Sequence, residues 1–287
     1  MQKQFEDGKL EKAELDFRMA VQDSKIYHFE QLAIQLAHNR RPPSRQLPQR
    51  PREVESFVVD FDFTDEELAA YDNFMNSEPE GKITFNKIDY ELSSLKTLQQ
   101  YEGNSISCYL NDDVVEAFLQ LLCLKNSNCA FIPSLFFRKF NGPELSKVVK
   151  WTQKRLGDTD LLCKEIIFFP IFDKAHWSLI VYYKARKSLI HFDSLKMHSN
   201  DVQYLNSVQL FMDAYVLSKN LDCNPLLGFK RINDPDIPLQ ENSHDCGVFT
   251  TIFAKYITLD KDFHFSQSHI PDFRRELFLY LKSIRIL

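Results

Sequence analysis

The chain contains no run approaching the ~20 apolar residues that a membrane-spanning helix requires, and its start, Met1-Gln-Lys-Gln-Phe-Glu-Asp7, lacks the basic-then-apolar pattern of a secretory signal. Both absences lead to the expectation of a soluble intracellular protein with no membrane partner. It also lacks an excess of positive charge, since 35 Lys and Arg against 40 Asp and Glu leave a net charge of −5. Domains that bind nucleic acid by phosphate attraction are usually strongly basic, so no nucleic-acid partner is expected and a protein partner or peptide substrate fits better. The six cysteines, Cys108, Cys123, Cys129, Cys163, Cys223 and Cys246, include no Cys-x-x-Cys pair and fall short of the density of a disulfide scaffold. Reduced thiols, most of them small core residues, are the expectation. Internal repeats and phosphate-binding loops are missing as well, and no cofactor is expected.

What is present is enough apolar material for a sizeable core, 44% hydrophobic residues in a chain of 287, which fits one large domain or a medium domain with an extension. Residues 1–38 carry apolar positions at helical spacing among many charges (Leu10, Leu15, Met19, Ile26, Phe29) and predict an N-terminal helical extension. The segment NRRPPSRQLPQRPR follows; its four prolines remove backbone donors and its five arginines repel one another, so residues 39–55 read as an Arg/Pro-rich linker. A folded domain is predicted over 56–287.

Within that domain Thr64-Asp-Glu-Glu67 has the pattern of a capping box, followed by Leu68, Tyr71, Phe74 and Met75 on one face of a helix. Asn111 is placed to cap a second helix with a broad apolar stripe (Val114, Val115, Phe118, Leu119, Leu122), and Asn141-Gly-Pro-Glu144 to start a third containing Val148, Val149 and Trp151. The period then turns strand-like over 166–172, 177–183 and 188–193, three neighbouring strands of a central sheet, the last two joined through the short polar connection 184–187. A long helix capped near Ser199 or Asn200 is expected next, then irregular chain at Asp234-Pro-Asp-Ile-Pro238, and finally a helix beginning at Cys246 with Val248, Phe249, Ile252, Phe253 and Tyr256 on its apolar side.

Cys246 therefore falls at a helix N-terminus, where unpaired amides and the positive end of the helix dipole favour a thiolate. Gly247 beside it carries no side chain, so a substrate carbonyl could approach closely. A thiol nucleophile needs a base. His176 opens a strand beside a cleft-forming turn, and Asp193 closes the next strand, so a hairpin between them would bring the carboxylate to the imidazole and fix its tautomer. Gln240, just before the cysteine in a loop stiffened by two prolines, offers an amide donor to a developing oxyanion. His191 and His244 compete for the role of base and rank below His176, because one lies within its strand and the other is only two residues from the sulfur. A zinc site of Cys223, His244 and Cys246 lacks the paired knuckle spacing that structural zinc sites use. Taken singly, these residues also suit ordinary packing and turn roles.

In order along the chain, His176-Trp177, Phe192-Asp193-Ser194, Ile237-Pro-Leu-Gln240 and Asp245-Cys246-Gly247 resemble the motifs of the Ulp/SENP family of SUMO-specific cysteine proteases. Tyr109-Leu-Asn-Asp-Asp113, Val149-Lys-Trp-Thr152 and the closing Phe265-Ser-Gln-Ser-His-Ile-Pro-Asp-Phe-Arg274 are similar to further motifs of that family. The resemblance implies an α+β, papain-like fold with a permuted motif order and a central sheet flanked by helices. It also implies a thiol protease that cuts after the C-terminal Gly-Gly of SUMO, removing it from isopeptide-linked conjugates and trimming precursors. In that picture Cys246 attacks, His176 is the base, Asp193 orients it, and Gln240 with the Cys246 amide binds the oxyanion. Trp177 matches one wall of a narrow tunnel for the glycine tail, Tyr109 stands where the family has the second tryptophan, and Asp112 matches a carboxylate that pairs with an arginine of the modifier. The resemblance further implies a monomer and a nuclear location, with the cytoplasm as the other compartment. Two other readings are a protease for the Nedd-type modifier and a catalytically silent modifier-binding protein.

Overall fold

The computed structural model describes residues 61–85, 88–100, 108–140, 145–157, 159–195, 201–219, 230–233 and 237–283. The predicted N-terminal extension, the Arg/Pro-rich linker and the domain start near Ser56 lie outside the described residues, as do the helix start at Asn141-Gly-Pro-Glu144, the cap near Ser199 or Asn200, Asp234-Pro-Asp236 and Cys223.

Helix α1 (Asp65–Met75) begins on the capping box read from the sequence, with Thr64 Oγ1 accepting from the Glu67 amide at 3.2 Å and a Glu67 carboxylate oxygen accepting from the Thr64 amide at 3.0 Å. A small antiparallel hairpin follows, β1 (Lys82–Phe85) and β2 (Ile88–Glu91), then a 3₁₀ segment over Leu92–Leu98. Helix α2 (Asp112–Lys125) starts where Asn111 Oδ1 accepts from the Val114 amide at 3.2 Å, and it is buried without a break from Val114 to Leu122. A helix buried around so much of its circumference sits inside the molecule, and its two polar members, Glu116 and Gln120, are hydrogen-bonded there by Ser134 and Tyr90.

The main sheet has the order β3-β4-β5-β6-β7, built from β3 (Cys129–Phe131), β4 (Ile166–Asp173), β5 (His176–Tyr183), β6 (Ser188–Phe192) and β7 (Lys230–Asn233). The three central strands are antiparallel and the outer pairs, β3 with β4 and β6 with β7, are parallel. Side chains alternate across a strand. Phe168, Trp177, Leu179, Val181, Ile190 and Phe192 accordingly join one core with α2, α6 (Cys246–Thr258) and α7 (Ile270–Ser283), while Ile167, Phe169, Ile180, Tyr182 and Leu189 join a second core with α3 (Leu135–Phe140), α4 (Leu145–Leu156) and α5 (Asp201–Ser218). Helices thus cover both faces, which explains why these strands read as nearly continuous apolar runs.

The turn between β4 and β5 carries the consequence for function. Asp173 pairs with His176, so only Lys174 and Ala175 connect the strands, and both adopt left-handed backbone with φ of 51° and 58°. A two-residue hairpin with the twist of its strands demands positive φ at both central positions, a conformation that non-glycine residues resist. It delivers His176 to the end of the sheet on a short, fixed connection.

Candidate active site

Cys246 is the first residue of α6 and is 2% exposed. Asp245 before it occupies the cap position, yet its side chain makes no cap hydrogen bond to the helix. The carboxylate is held elsewhere: it accepts from Arg274 Nη2 at 2.6 Å and Nε at 3.3 Å, from Asn242 Nδ2 at 2.7 Å and from Gln267 Nε2 at 2.7 Å. Arg274, itself buried, also donates to the carbonyls of Thr97 and Gln99. Burial alone would raise the pKa of Asp245, but the Arg274 charge and these donors overcome it and hold the group below the usual carboxylate range. The amides of the first turn of α6 are consequently left uncapped by Asp245, beside the sulfur.

His176 Nε2 lies 2.7 Å from Asp193 Oδ1, and the same oxygen accepts from the Leu195 amide at 3.0 Å. The ring also hydrogen-bonds the Cys246 side chain, and with Nε2 committed to Asp193 it is Nδ1 that faces the sulfur. Burial pulls the imidazole pKa down, but the Asp193 hydrogen bond and the neighbouring Cys246 outweigh it and push it up to about 9. For Asp193, burial raises the pKa and the hydrogen bonds from His176 and the Leu195 amide reverse that, leaving it lowered. The hairpin expected from the sequence thus brings imidazole, carboxylate and thiol into one chain of contacts.

Gln240 is buried next to them: its amide N–H donates to Ser194 O at 3.0 Å, its Oε1 accepts from Ser194 Oγ at 2.6 Å, and its Nε2 donates to Asn242 O at 2.6 Å. Trp177 is only 3% exposed; its indole N–H donates to Leu110 O at 2.8 Å and its ring packs on Phe172. Tyr109, adjacent to Leu110, is 36% exposed and meets the His244 ring edge-on at a centroid distance of 6.2 Å. Asp112 is exposed in the first turn of α2.

At Gly247 a Cβ would stand 2.7 Å from Leu110 Cβ and 3.2 Å from Trp177 Cδ1, so the missing side chain makes room for Leu110 and Trp177 to pack against the helix. The competing histidines also separate. His191 bonds Ser178 Oγ at 2.9 Å and meets Tyr204, a member of the core on the opposite face of the sheet from α6, whereas the His244 pKa is lowered by burial and by Arg274 against the opposing effect of Asp245. Among the described residues no group of three His, Cys, Asp or Glu side chains is gathered to hold a metal ion, and no helix is long and apolar enough to cross a membrane. Asp245, Gln267, Arg274 and Ser194 acquire positions in the site that sequence reasoning did not assign. The acid and the arginine stand in quoted motifs, but an ion pair across that separation leaves no local signature.

The family model described as the Ulp1 protease family, C-terminal catalytic domain, matches residues 108–286. The chain belongs to the Ulp1 protease family. His176, Asp193, Gln240 and Cys246 all lie within the matched span, and this Ulp1-family chain is 30% identical over 213 residues to Sentrin-specific protease 2 of Homo sapiens, covering 71% of this chain and 34% of the relative. Sentrin-specific protease 5 of Homo sapiens is 27% identical over 207 residues, covering 72% and 26% respectively. The chain therefore spans about a third or less of the length of these relatives. Among solved structures, the C-terminal Ulp1 protease domain in complex with Smt3, the yeast ortholog of SUMO, superposes with a TM-score of 0.66 at 20% identity, covering 78% of this chain and 97% of that one. The Chaetomium thermophilum Ulp1-like SUMO protease catalytic domain gives 0.61 at 18% identity over 84% and 94%. The fold is thus the α+β, papain-like Ulp1 protease fold, with the motif order His, Asp, Gln, Cys.

Proposed function

We propose that this chain is an active thiol protease that cleaves after the C-terminal Gly-Gly of SUMO, chiefly at isopeptide bonds of conjugates and also in SUMO precursors. The observation that carries the reading is the imidazole of His176 held between Asp193, at 2.7 Å, and the Cys246 thiol. The Sentrin-specific relatives and the fold shared with a protease domain solved on a SUMO ortholog support the substrate class.

In this reading the Cys246 proton passes to His176 Nδ1, and the sulfur attacks the carbonyl carbon of the terminal glycine, forming a C–S bond while the carbonyl electron pair moves to oxygen. The oxyanion meets the Cys246 amide and a Gln240 Nε2–H; one such donor contributes roughly 10²–10³ in kcat. Collapse breaks the C–N bond, and the lysine amine leaves with the proton from His176. Water, deprotonated by the same ring, then attacks the thioester and releases the glycine carboxylate and the Cys246 thiol. Asp193 stays ionised throughout, holding the Nε2 proton and so the tautomer with Nδ1 toward sulfur. In this reading Tyr109 and Trp177 line the passage for the glycine tail, and Asp112, exposed in the first turn of α2, pairs with a basic group of the modifier.

The test is a panel of SUMO and Nedd-type modifiers, each fused through its Gly-Gly tail to a reporter. Cleavage of the SUMO fusion that disappears in Cys246→Ser is expected. Preference for the Nedd-type fusion, or unchanged turnover in Cys246→Ser, overturns the proposal.

A further inference from the structure

Two hydrogen bonds on the Gln240 side chain constrain its amide more tightly than its place in a loop would suggest. A backbone carbonyl only accepts, so the side-chain atom 2.6 Å from Asn242 O must be the nitrogen. Oε1 is thereby directed at Ser194 Oγ, 2.6 Å away, and since an amide oxygen has no proton to give, the Ser194 hydroxyl must be the donor. Both side chains are buried, Ser194 at 2% and Gln240 at 7% exposure. Nε2 carries two protons and Asn242 O takes one, so one N–H remains to donate. The torsion that turns a glutamine amide is intrinsically broad, so this orientation has to be imposed from outside the side chain. The Ser194 hydroxyl imposes it, while the backbone N–H of Gln240 separately donates to the Ser194 carbonyl at 3.0 Å and fixes the two stretches of chain side by side.

We infer that Ser194 is a positioning residue of the reaction: its hydroxyl locks the Gln240 amide so that the remaining Nε2–H meets the oxyanion. Ser194 directly follows Asp193, so one turn of chain holds both the carboxylate that orients the base and the amide that receives the negative charge. Removing the hydroxyl leaves Oε1 buried without its donor, and the amide is free to turn toward other partners. The inference rests on the reading of Gln240 as an oxyanion donor, and the test separates the two.

The experiment is a double-mutant cycle on the full chain, with kcat and KM measured on the SUMO–reporter fusion for wild type, Ser194→Ala, Gln240→Ala and the double variant. Gln240→Ala is expected to lower kcat about 100-fold. Ser194→Ala should lower kcat about tenfold with KM changed less than about twofold, the pattern of an interaction made in the transition state. In the Gln240→Ala background the serine substitution should change kcat by less than about twofold, because no amide remains to be held. Equal losses in both backgrounds mean a merely structural effect and overturn the inference, as does a wild-type rate for Ser194→Ala while Gln240→Ala is slow. A wild-type rate for Gln240→Ala overturns the oxyanion reading and the inference with it. Should Ser194→Ala not fold, Ser194→Cys keeps the shape with a weak donor, and the same non-additivity with Gln240→Ala decides the matter.

Discussion

Replacing Arg274 by methionine removes the charge that faces the buried Asp245 while keeping most of the side-chain volume. Asp245 is 4% exposed and would retain its bonds from Asn242 and Gln267, but it would lose the two charge-assisted bonds from Arg274, at 2.6 and 3.3 Å. Leaving one partner of a buried ion pair uncompensated costs about 3–5 kcal/mol. In a domain of more than 150 residues each kcal/mol moves Tm by roughly 2–4 °C, so a fall of roughly 6–20 °C is expected at pH 7 in a thermal melt followed by circular dichroism. The pH dependence carries a sign. In the wild type the Asp245 pKa is lowered, so the stability it contributes is present above the ordinary carboxylate range and is lost as pH falls through the folded value. In Arg274→Met burial is no longer opposed by the guanidinium, protonation relieves the stranded charge, and the gap in Tm between the two proteins should narrow as the pH is lowered. Adding Asp245→Asn should recover much of the loss, since removing both charges of a buried pair is often close to neutral. A Tm for Arg274→Met within about 2 °C of wild type, or a gap that widens in acid, would refute the reasoning.

Asp193→Asn removes the partner that raises the His176 pKa, so the alkaline limb of the kcat/KM profile, expected near the wild-type value of about 9, should move to lower pH and the rate should fall. In the same pair the stability contributed by protonated His176 is full below its ordinary pKa and is lost as pH rises through about 9, while that of Asp193 is present above the ordinary carboxylate range and lost as pH falls; melts across pH check both signs. Gly247→Ala drives a Cβ to 2.7 Å from Leu110 Cβ and should cost about 1–3 kcal/mol by denaturant unfolding, with slower turnover as the start of α6 shifts. Ala175→Gly removes left-handed strain at φ 58° and should leave Tm unchanged or higher, where glycine at an ordinary strand position would lower it.

Much of the molecule was legible because it is written in short-range patterns. The cap at Thr64, the cap at Asn111 and the three central strands follow from residues within one turn or one strand, and the order His176, Asp193, Gln240, Cys246 is a linear property that a family resemblance reads directly. The outer strands β3 and β7 were not read, since each is only three or four residues long and is defined by a parallel neighbour distant in the chain. β4 and β5 were read as neighbours, but the tightness of their turn was not: it is Lys174-Ala175, without the asparagine or glycine that usually announces positive φ, so the strand pairing imposes a conformation the local sequence does not favour.

The amino-acid sequence by itself determined the chemistry on offer: a thiol at a helix start, an imidazole and a carboxylate at consecutive strand ends, and an amide before the cysteine. Tertiary structure alone decided how those groups are held, with Asp245 drawn off its helix by Arg274, Gln240 locked by Ser194, and Gly247 filled by Leu110 and Trp177. The physical reason is range. Caps and periodicity are enforced by neighbours a few bonds away, whereas buried charges and amides take their orientation from whichever partners the packed core brings within hydrogen-bonding distance.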